Sequence, residues 1–520
     1  MQRSSTLAFS SLLTTALLAQ AGTLDPSFAN GGIQELAPGT LHDVAYDVIA
    51  LPDTTSLICG VAQVSGTNAM FVAHLLQDGS LDSGFGANAG YTFFNYGEEA
   101  YAYAMGLGLD GSIYLAGLAY PTFAQSTVVL AHTDANGIPD PTFGTNGVVS
   151  TPVGTLDAEA KGLVIQSDGK IVLGGSVVNT GNFARDILFL RYNPDGTLDN
   201  AFSADGIQIA DAYASEDLLN DIALLDDGSI VGAGYADIIG DMKTVLARVD
   251  ANGEFVTGFG GDGVIIPGFG VTQDRAFGIM AAGQQFLVTG SFMDVPGDDD
   301  IYVASFNEDG TLDQTFGGQG VAITDVDANE VGLDLVQGAD GSIIACGTTG
   351  QAGFGVPRDF IVMRFTVEGA PDAGFGMGGH VVTSIDVDFD DANAVAVQPD
   401  GKILAAGFTA GFSDFTDNDV AVVRYLVDGP NSVPVHTGIA RDLTVYPDPA
   451  SYGYVWLKGA ALRAGTTIDV LDAAGRAVFH SAMTGVVNGI AVDGLDAGRY
   501  QVRCTNARGA VATATLVIVR

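Results

Sequence analysis

An all-β fold is what the 520-residue sequence predicts, and three features predict it. A unit of about 58 residues recurs seven times, each copy is made of short apolar runs of strand length, and no segment sustains a capped helical period. The first marker of the repeat is a phenylalanine in a glycine-framed loop, as in GTLDPSFANGG, GTLDNAFSADG and GTLDQTFGGQG. Phe28, Phe85, Phe143, Phe202, Phe259, Phe316 and Phe375 follow one another at 57, 58, 59, 57, 57 and 59 residues. A second marker keeps the same phase: Gly79, Gly137, Gly196, Gly253, Gly310, Gly369 and Gly429 each close an apolar run such as ILFLRYNPDG.

The last copy shows what one unit contains. Residues 394–397 form a first apolar run, Pro399-Asp400-Gly401 a hairpin turn, 403–407 a second run and 420–426 a third. A fourth run follows the phenylalanine loop in earlier copies, as at 147–150. Four short strands with both faces apolar must bury those faces against neighbours, which is the requirement met by a propeller blade. The chain supplies its closure too. Residues 32–36 read as a fourth strand with no blade of their own, and the last copy stops after its third strand. Joining the two gives a seven-bladed β-propeller over residues 22–429 with no loose edge. A stacked solenoid would need capping units that the sequence does not contain.

The flanks read differently. Arg3, the apolar stretch 7–18 and Ala19-Gln20-Ala21 make a secretory signal peptide over residues 1–21, so export is expected. Residues 430–442 (PNSVPVHTGIARD) form a linker. Beyond it the charge inverts: 443–520 hold seven bases and five acids, whereas 22–442 hold 12 bases and 56 acids. Alternating runs in TTIDVLD, GRAVFHS, RYQVRC and ATATLVIV predict a small Ig-like β-sandwich there.

The recurring LDxxFG and QxDGKI signatures resemble the delta-60 repeat family of bacterial propellers, which implies a fold and no reaction. The fifth copy departs from the pattern, with Val256 in place of the aspartate. The C-terminal segment resembles the type A sorting domain of the type IX secretion system. Tyr446, Pro447, Asp448 and Pro449, the turn containing Gly475 and Arg476, and the turn running from Gly498 to Tyr500 carry that resemblance. Asp448 stands where that family usually has asparagine. The resemblance implies passage through the periplasm and outer membrane, the type IX machinery as a partner, and a secreted or cell-surface location.

Composition excludes several functions. A net charge of -41 argues against nucleic acid and anionic membranes as partners. No apolar run of spanning length follows the signal segment. Three cysteines cannot form a disulfide framework, and Cys59 and Cys346 occupy equivalent second-strand positions in non-adjacent units. The glycines at 106, 108 and 111 match a dinucleotide fingerprint, but a strand-like run follows where a helix would be required. His74 and His132 share a repeat position with Arg191, Arg248, Arg364, Arg424 and Ser305, so they are architectural. The arginines are expected to pair with motif aspartates such as Asp199 and Asp372.

Acids crowd the loops of one face. Two runs, Asp325, Asp327 and Asn329, then Asp386, Asp388 and Asp390, alternate hard oxygen ligands as Ca²⁺ requires. Neither has the glycine or the glutamate of a standard calcium loop, and an acidic surface that keeps an exported chain in solution is the preferred reading. No other cofactor is expected. Loop aromatics Tyr120, Phe123, Phe354, Phe412 and Phe415 are candidates for stacking on sugar rings. With no assembled catalytic constellation, the chain reads as a non-catalytic binding or adhesion propeller for a glycan or protein ligand. A secreted carbohydrate-active hydrolase or lyase using paired carboxylates and a structural matrix component are the alternatives.

Overall fold

The computed structural model describes residues 21–427, apart from 123, 213–214, 270–272, 284, 296–297, 327–328, 351–356, 387–388 and 411–417. Of the rest it describes the strands within 444–518 and Leu495. The signal segment and the linker lie outside the described residues. The chain divides into two compact units, 1–431 and 432–520. No helix occurs among the described residues, so none there is long and apolar enough to cross a membrane.

The first unit repeats one four-stranded antiparallel group, the arrangement of a β-propeller. A typical group runs Ala158–Ile165, Ile171–Val178, Arg185–Tyr192 and Ile207–Ala210, each strand paired with the next. Ile33–Leu36 has no group of its own and pairs antiparallel with Asn418–Tyr425, as the sequence reading expects. Successive groups touch where the third strand of one meets the start of the next. Single parallel bridges mark three such junctions: Asp299 with Asn329, Arg358 with Phe389, and His42 with Asn418.

Apolar faces meet at these junctions. Leu57, Cys59 and Val72 pack with Ala102, Leu115 and Val129 of the following group. Ile58 and Phe71 of the earliest full group pack with Leu404 and Val422 of the last. Cys59 and Cys346 are buried free thiols.

The two sequence markers have one cause. Each motif phenylalanine is at most 3% exposed, and the first six lie under Gly79, Gly137, Gly196, Gly253, Gly310 and Gly369 in turn; Gly429 lies outside the described residues. Gly253 has φ +86, and a Cβ there would stand 2.7 Å from the Phe202 ring. Gly253→Ala therefore combines left-handed backbone strain with overpacking, and is expected to cost about 2–4 kcal/mol in urea unfolding. A midpoint unchanged from wild type would refute the interlock.

Beside each phenylalanine lies the shared arginine position. Arg191 Nε donates to Asp199 Oδ2 at 2.8 Å, and Arg424 Nε to Asp25 Oδ2 at 2.9 Å. Arg364 reaches Asp372 at 3.4 Å and pairs with Asp340 at 2.5 Å. In the copy lacking the aspartate, Arg248 turns to Asp227 and Glu308, at 2.8 and 3.1 Å. His74 meets Asp82 at 3.0 Å, and where Ser305 replaces the arginine, Gln285 donates to Asp313 at 2.8 Å. The position is architectural throughout.

In the second unit, Thr444–Tyr446, Tyr454–Lys458 and Gly489–Ala491 form one sheet. Ala477–Ala482, Thr467–Leu471, Gly498–Thr505 and Val511–Ile518 form a second, in that order.

Candidate functional site

Every first strand in the first unit carries a one-residue register shift that re-aims the extra side chain. In the group starting at Val44–Ala50 the extra residue is Tyr46; in the next, Glu99–Leu107, it is Tyr103; in the third it is Lys161. These three meet. The Tyr46 and Tyr103 rings lie edge to face at 4.9 Å, and Lys161 Nζ stands 3.7 Å from the Tyr103 ring centroid.

Tyr101, two residues before Tyr103, stacks on it with centroids 6.1 Å apart and planes 13° apart. The Tyr101 hydroxyl donates to Glu99 Oε2 at 2.7 Å and accepts from Asn68 Nδ2 at 2.7 Å. Tyr120 is brought opposite Glu99 by strand pairing. Together Glu99, Tyr101, Tyr103, Leu118 and Tyr120 line a cavity of about 370 Å³. Behind it Glu159 lies 3.8 Å from both Lys161 and Arg185.

Burial pushes the Tyr46 phenol up to about 12, and burial with neighbouring phenols and carboxylates raises Tyr101 and Tyr103 further. Burial also lowers the Lys161 ammonium, against the pull of Glu159. Each phenol sets a hydroxyl beside an apolar ring face, and that of Tyr101 is engaged by Glu99 and Asn68. Ring faces flanked by a carboxylate match a sugar, whose C–H face stacks while its hydroxyls hydrogen-bond.

Of the loop aromatics, Tyr120 joins this cavity, while Phe123, Phe354, Phe412 and Phe415 lie outside the described residues. Sequence reasoning missed Tyr46, Tyr101 and Tyr103. The alternation AYAYAM at 100–105 was the available signal: it places two large aromatics on one side of a strand.

The acidic runs behave differently from their spacing. Asp325 is exposed and comes together with Glu330 and with Asp300 of the strand Asp298–Phe306. Asp386 is exposed, whereas Asp390 is fully buried; Asp327 and Asp388 lie outside the described residues. In the second unit Tyr446 ends a strand, Gly498 begins one and Tyr500 is half-buried within it. Pro447, Asp448, Pro449, Gly475 and Arg476 lie outside the described residues.

Four segments, 166–202, 287–316, 338–375 and 398–429, match a family model described as a domain of unknown function (DUF5122) beta-propeller. No curated protein matches the chain by sequence. Among solved structures, PorZ, a surface component of the type IX secretion system of Porphyromonas gingivalis, is similar at 12% identity and a TM-score of 0.30. That match covers 90% of this chain and 68% of PorZ. The polysaccharide lyase Uly1 is similar at 10% identity and a TM-score of 0.41, covering 81% of this chain and 96% of the lyase. An α-L-arabinofuranosidase of Fusarium graminearum is similar at 10% identity and a TM-score of 0.38, covering 78% of this chain and 98% of the enzyme.

Proposed function

We propose that this chain is an exported seven-bladed propeller that binds a glycan through the cavity lined by Tyr101, Tyr103 and Tyr120, without turning it over. The observation that carries the reading is the cluster of tyrosines around Glu99, in which a backbone bulge re-aims Tyr103 beside Tyr101. Export rests on the signal-like residues 1–21, and a secreted or cell-surface location on the sorting-domain resemblance of 443–520. In this reading 443–520 is an Ig-like sandwich that engages the type IX machinery, joined by the linker 430–442 to the delta-60-like repeats of 22–429.

The test is retention of the purified protein on a panel of insoluble polysaccharides and cell-wall fractions, with soluble sugar assayed in the same tubes. Wild type is expected to be retained on at least one matrix without releasing sugar. Tyr103→Ala is expected to weaken retention by roughly thirtyfold, the effect of losing a central aromatic anchor worth about 2 kcal/mol. Released sugar would replace binding with catalysis, and undiminished retention of the variant would move the site elsewhere.

A further inference from the structure

Positive charge is scarce in the first unit, and where it is spent bears on the tyrosine-lined cavity. Eleven lysines and arginines lie between residues 22 and 427. Six of them, the four motif arginines with Lys170 and Lys402, pair with acids at the motif and hairpin turns. The other five lie toward the opposite end of the sheets, where first and third strands begin. Lys161 is 3.8 Å from Glu159, Arg185 3.5 Å from Glu216, Lys243 3.8 Å from Asp274, Arg275 3.5 Å from Asp299 and Arg358 2.8 Å from Asp391. Among the described residues no cation pairs with Glu99, the carboxylate that lines the cavity.

Glu99 is half-buried, and what it has instead of a cation is a phenol: its Oε2 accepts from the Tyr101 hydroxyl. Asn68 Nδ2 donates to that same hydroxyl, while Asn68 Oδ1 is buried with no hydrogen-bond partner among the described residues. A carboxylate and an open amide oxygen therefore flank Tyr101, and both call for donors. His42 feels the charge of Glu99, but burial prevails and lowers its imidazole, so it brings no positive charge at neutral pH. Lys161 stands over the Tyr103 ring, which shows that the ring face takes an ammonium. Its charge is already answered: Lys161 and Arg185 against Glu159 and Glu216 are two against two. Glu99 leaves the wall of the cavity negative.

We infer that the glycan is an amino sugar polymer with free amino groups, one ammonium pairing with Glu99 while the sugar ring lies among Tyr101, Tyr103 and Tyr120. This deepens the glycan reading of the cavity and rests on it. An ammonium brings three donors and a positive charge, which suits a carboxylate beside an open amide oxygen and is attracted to tyrosine ring faces. A neutral sugar leaves the carboxylate without a counter-charge. A uronate sets like charge against it, so the same residue that favours an amino sugar turns an acidic one away.

The experiment uses the full chain and three soluble hexamers that share one β-linked glucose backbone: cellohexaose, the N-acetylglucosamine hexamer and the glucosamine hexamer. Binding is read by calorimetry at about pH 6, below the usual range of an amine, and in about 0.3 M salt, which screens general attraction to an acidic chain. The glucosamine hexamer is expected to bind roughly tenfold more tightly than the other two, the scale of one hydrogen bond between charged groups. Glu99→Gln, whose amide oxygen still accepts from Tyr101, should erase that preference and leave the two uncharged hexamers as they were. Tyr103→Ala should weaken all three. Glu254→Gln removes the same charge from an exposed turn and should change nothing. Equal binding of the three, or tighter binding of an uncharged hexamer, would overturn the amino-sugar inference and leave the glycan reading standing. A preference that Glu254→Gln lowers as much as Glu99→Gln would trace to overall charge and overturn it as well. Binding of none of the three would overturn it too, and the polysaccharide panel then decides the glycan reading separately.

Discussion

Arg424→Ala is expected to destabilise the first unit by about 3–5 kcal/mol, the cost of stranding the partners of a buried charge. Arg424 is 2% exposed and lies over the Phe28 ring, 4.5 Å from its centroid. Its guanidinium donates to Asp25 Oδ2 at 2.9 Å, to the Gln77 carbonyl at 2.6 Å and to Ser27 Oγ at 3.2 Å. Burial would raise the Asp25 carboxyl, but hydrogen bonds from Ser27 and the charge of Arg424 hold it below its ordinary range. Removing the guanidinium leaves that carboxylate buried, with the Ser27 hydrogen bonds and the Lys402 ammonium at 3.3 Å to hold it. Thermal unfolding measures the effect. A Tm within a degree of wild type would refute it, and polysaccharide retention well below Tm should not change.

Stability should fall as pH rises from about 5 to 8. Asp47, Asp221 and Asp334 share the position just past the bulge in three first strands. Each accepts two backbone N–H groups, its own neighbour's and one from the next group: Met105 at 2.7 Å, Ile279 at 3.1 Å and Val395 at 2.8 Å. Burial pushes Asp47 up to about 6 and Asp334 up to about 7; burial and repulsion from the other two raise Asp221 well above the carboxylate range. The folded chain thus holds these protons more tightly than the unfolded chain does. That stabilisation is complete below the unfolded value of 3.8 and is lost as pH passes through 6 and 7. For Asp334 alone the loss is roughly 4 kcal/mol at 1.36 kcal/mol per unit. On the acid side, carboxylates held low by threonine hydroxyls, such as Asp195 and Asp309, lose their advantage as they protonate. A Tm optimum near pH 4 follows, and Asp334→Asn should flatten its alkaline limb. A Tm that climbs from pH 5 to 8 would contradict this account.

The repeat was legible because its markers are the two halves of one contact. A ring and the glycine beneath which it packs must recur together, so the two markers keep one period. Strand order followed from run length and turn chemistry, and the pairing of Ile33–Leu36 with the last group from a strand left over. The sites were less legible. Tyr103 becomes an extra residue only through register with the neighbouring strand, which no spacing in the sequence displays. Asp325 was singled out, but its companions Asp300 and Glu330 come from two separate strands, which no alternating spacing displays. The arginine pairs lay between these cases: Asp199 and Asp372 are eight residues from their arginines, near enough to be read from the motif.

Because Ile33–Leu36 completes the sheet of Asn418–Tyr425, the first strand to be synthesised waits for almost the last. Asp25 and Arg424 are 399 residues apart in the chain. Early groups can form as they emerge, but the seam cannot close until the array is whole, and loops of that span close slowly. An incomplete array exposes two apolar sheet faces and an unpaired edge, the features that chaperones and proteases act on. Closure is therefore a length check: a chain cut short before Asn418 lacks the strand that Ile33–Leu36 pairs with, and its edge stays open.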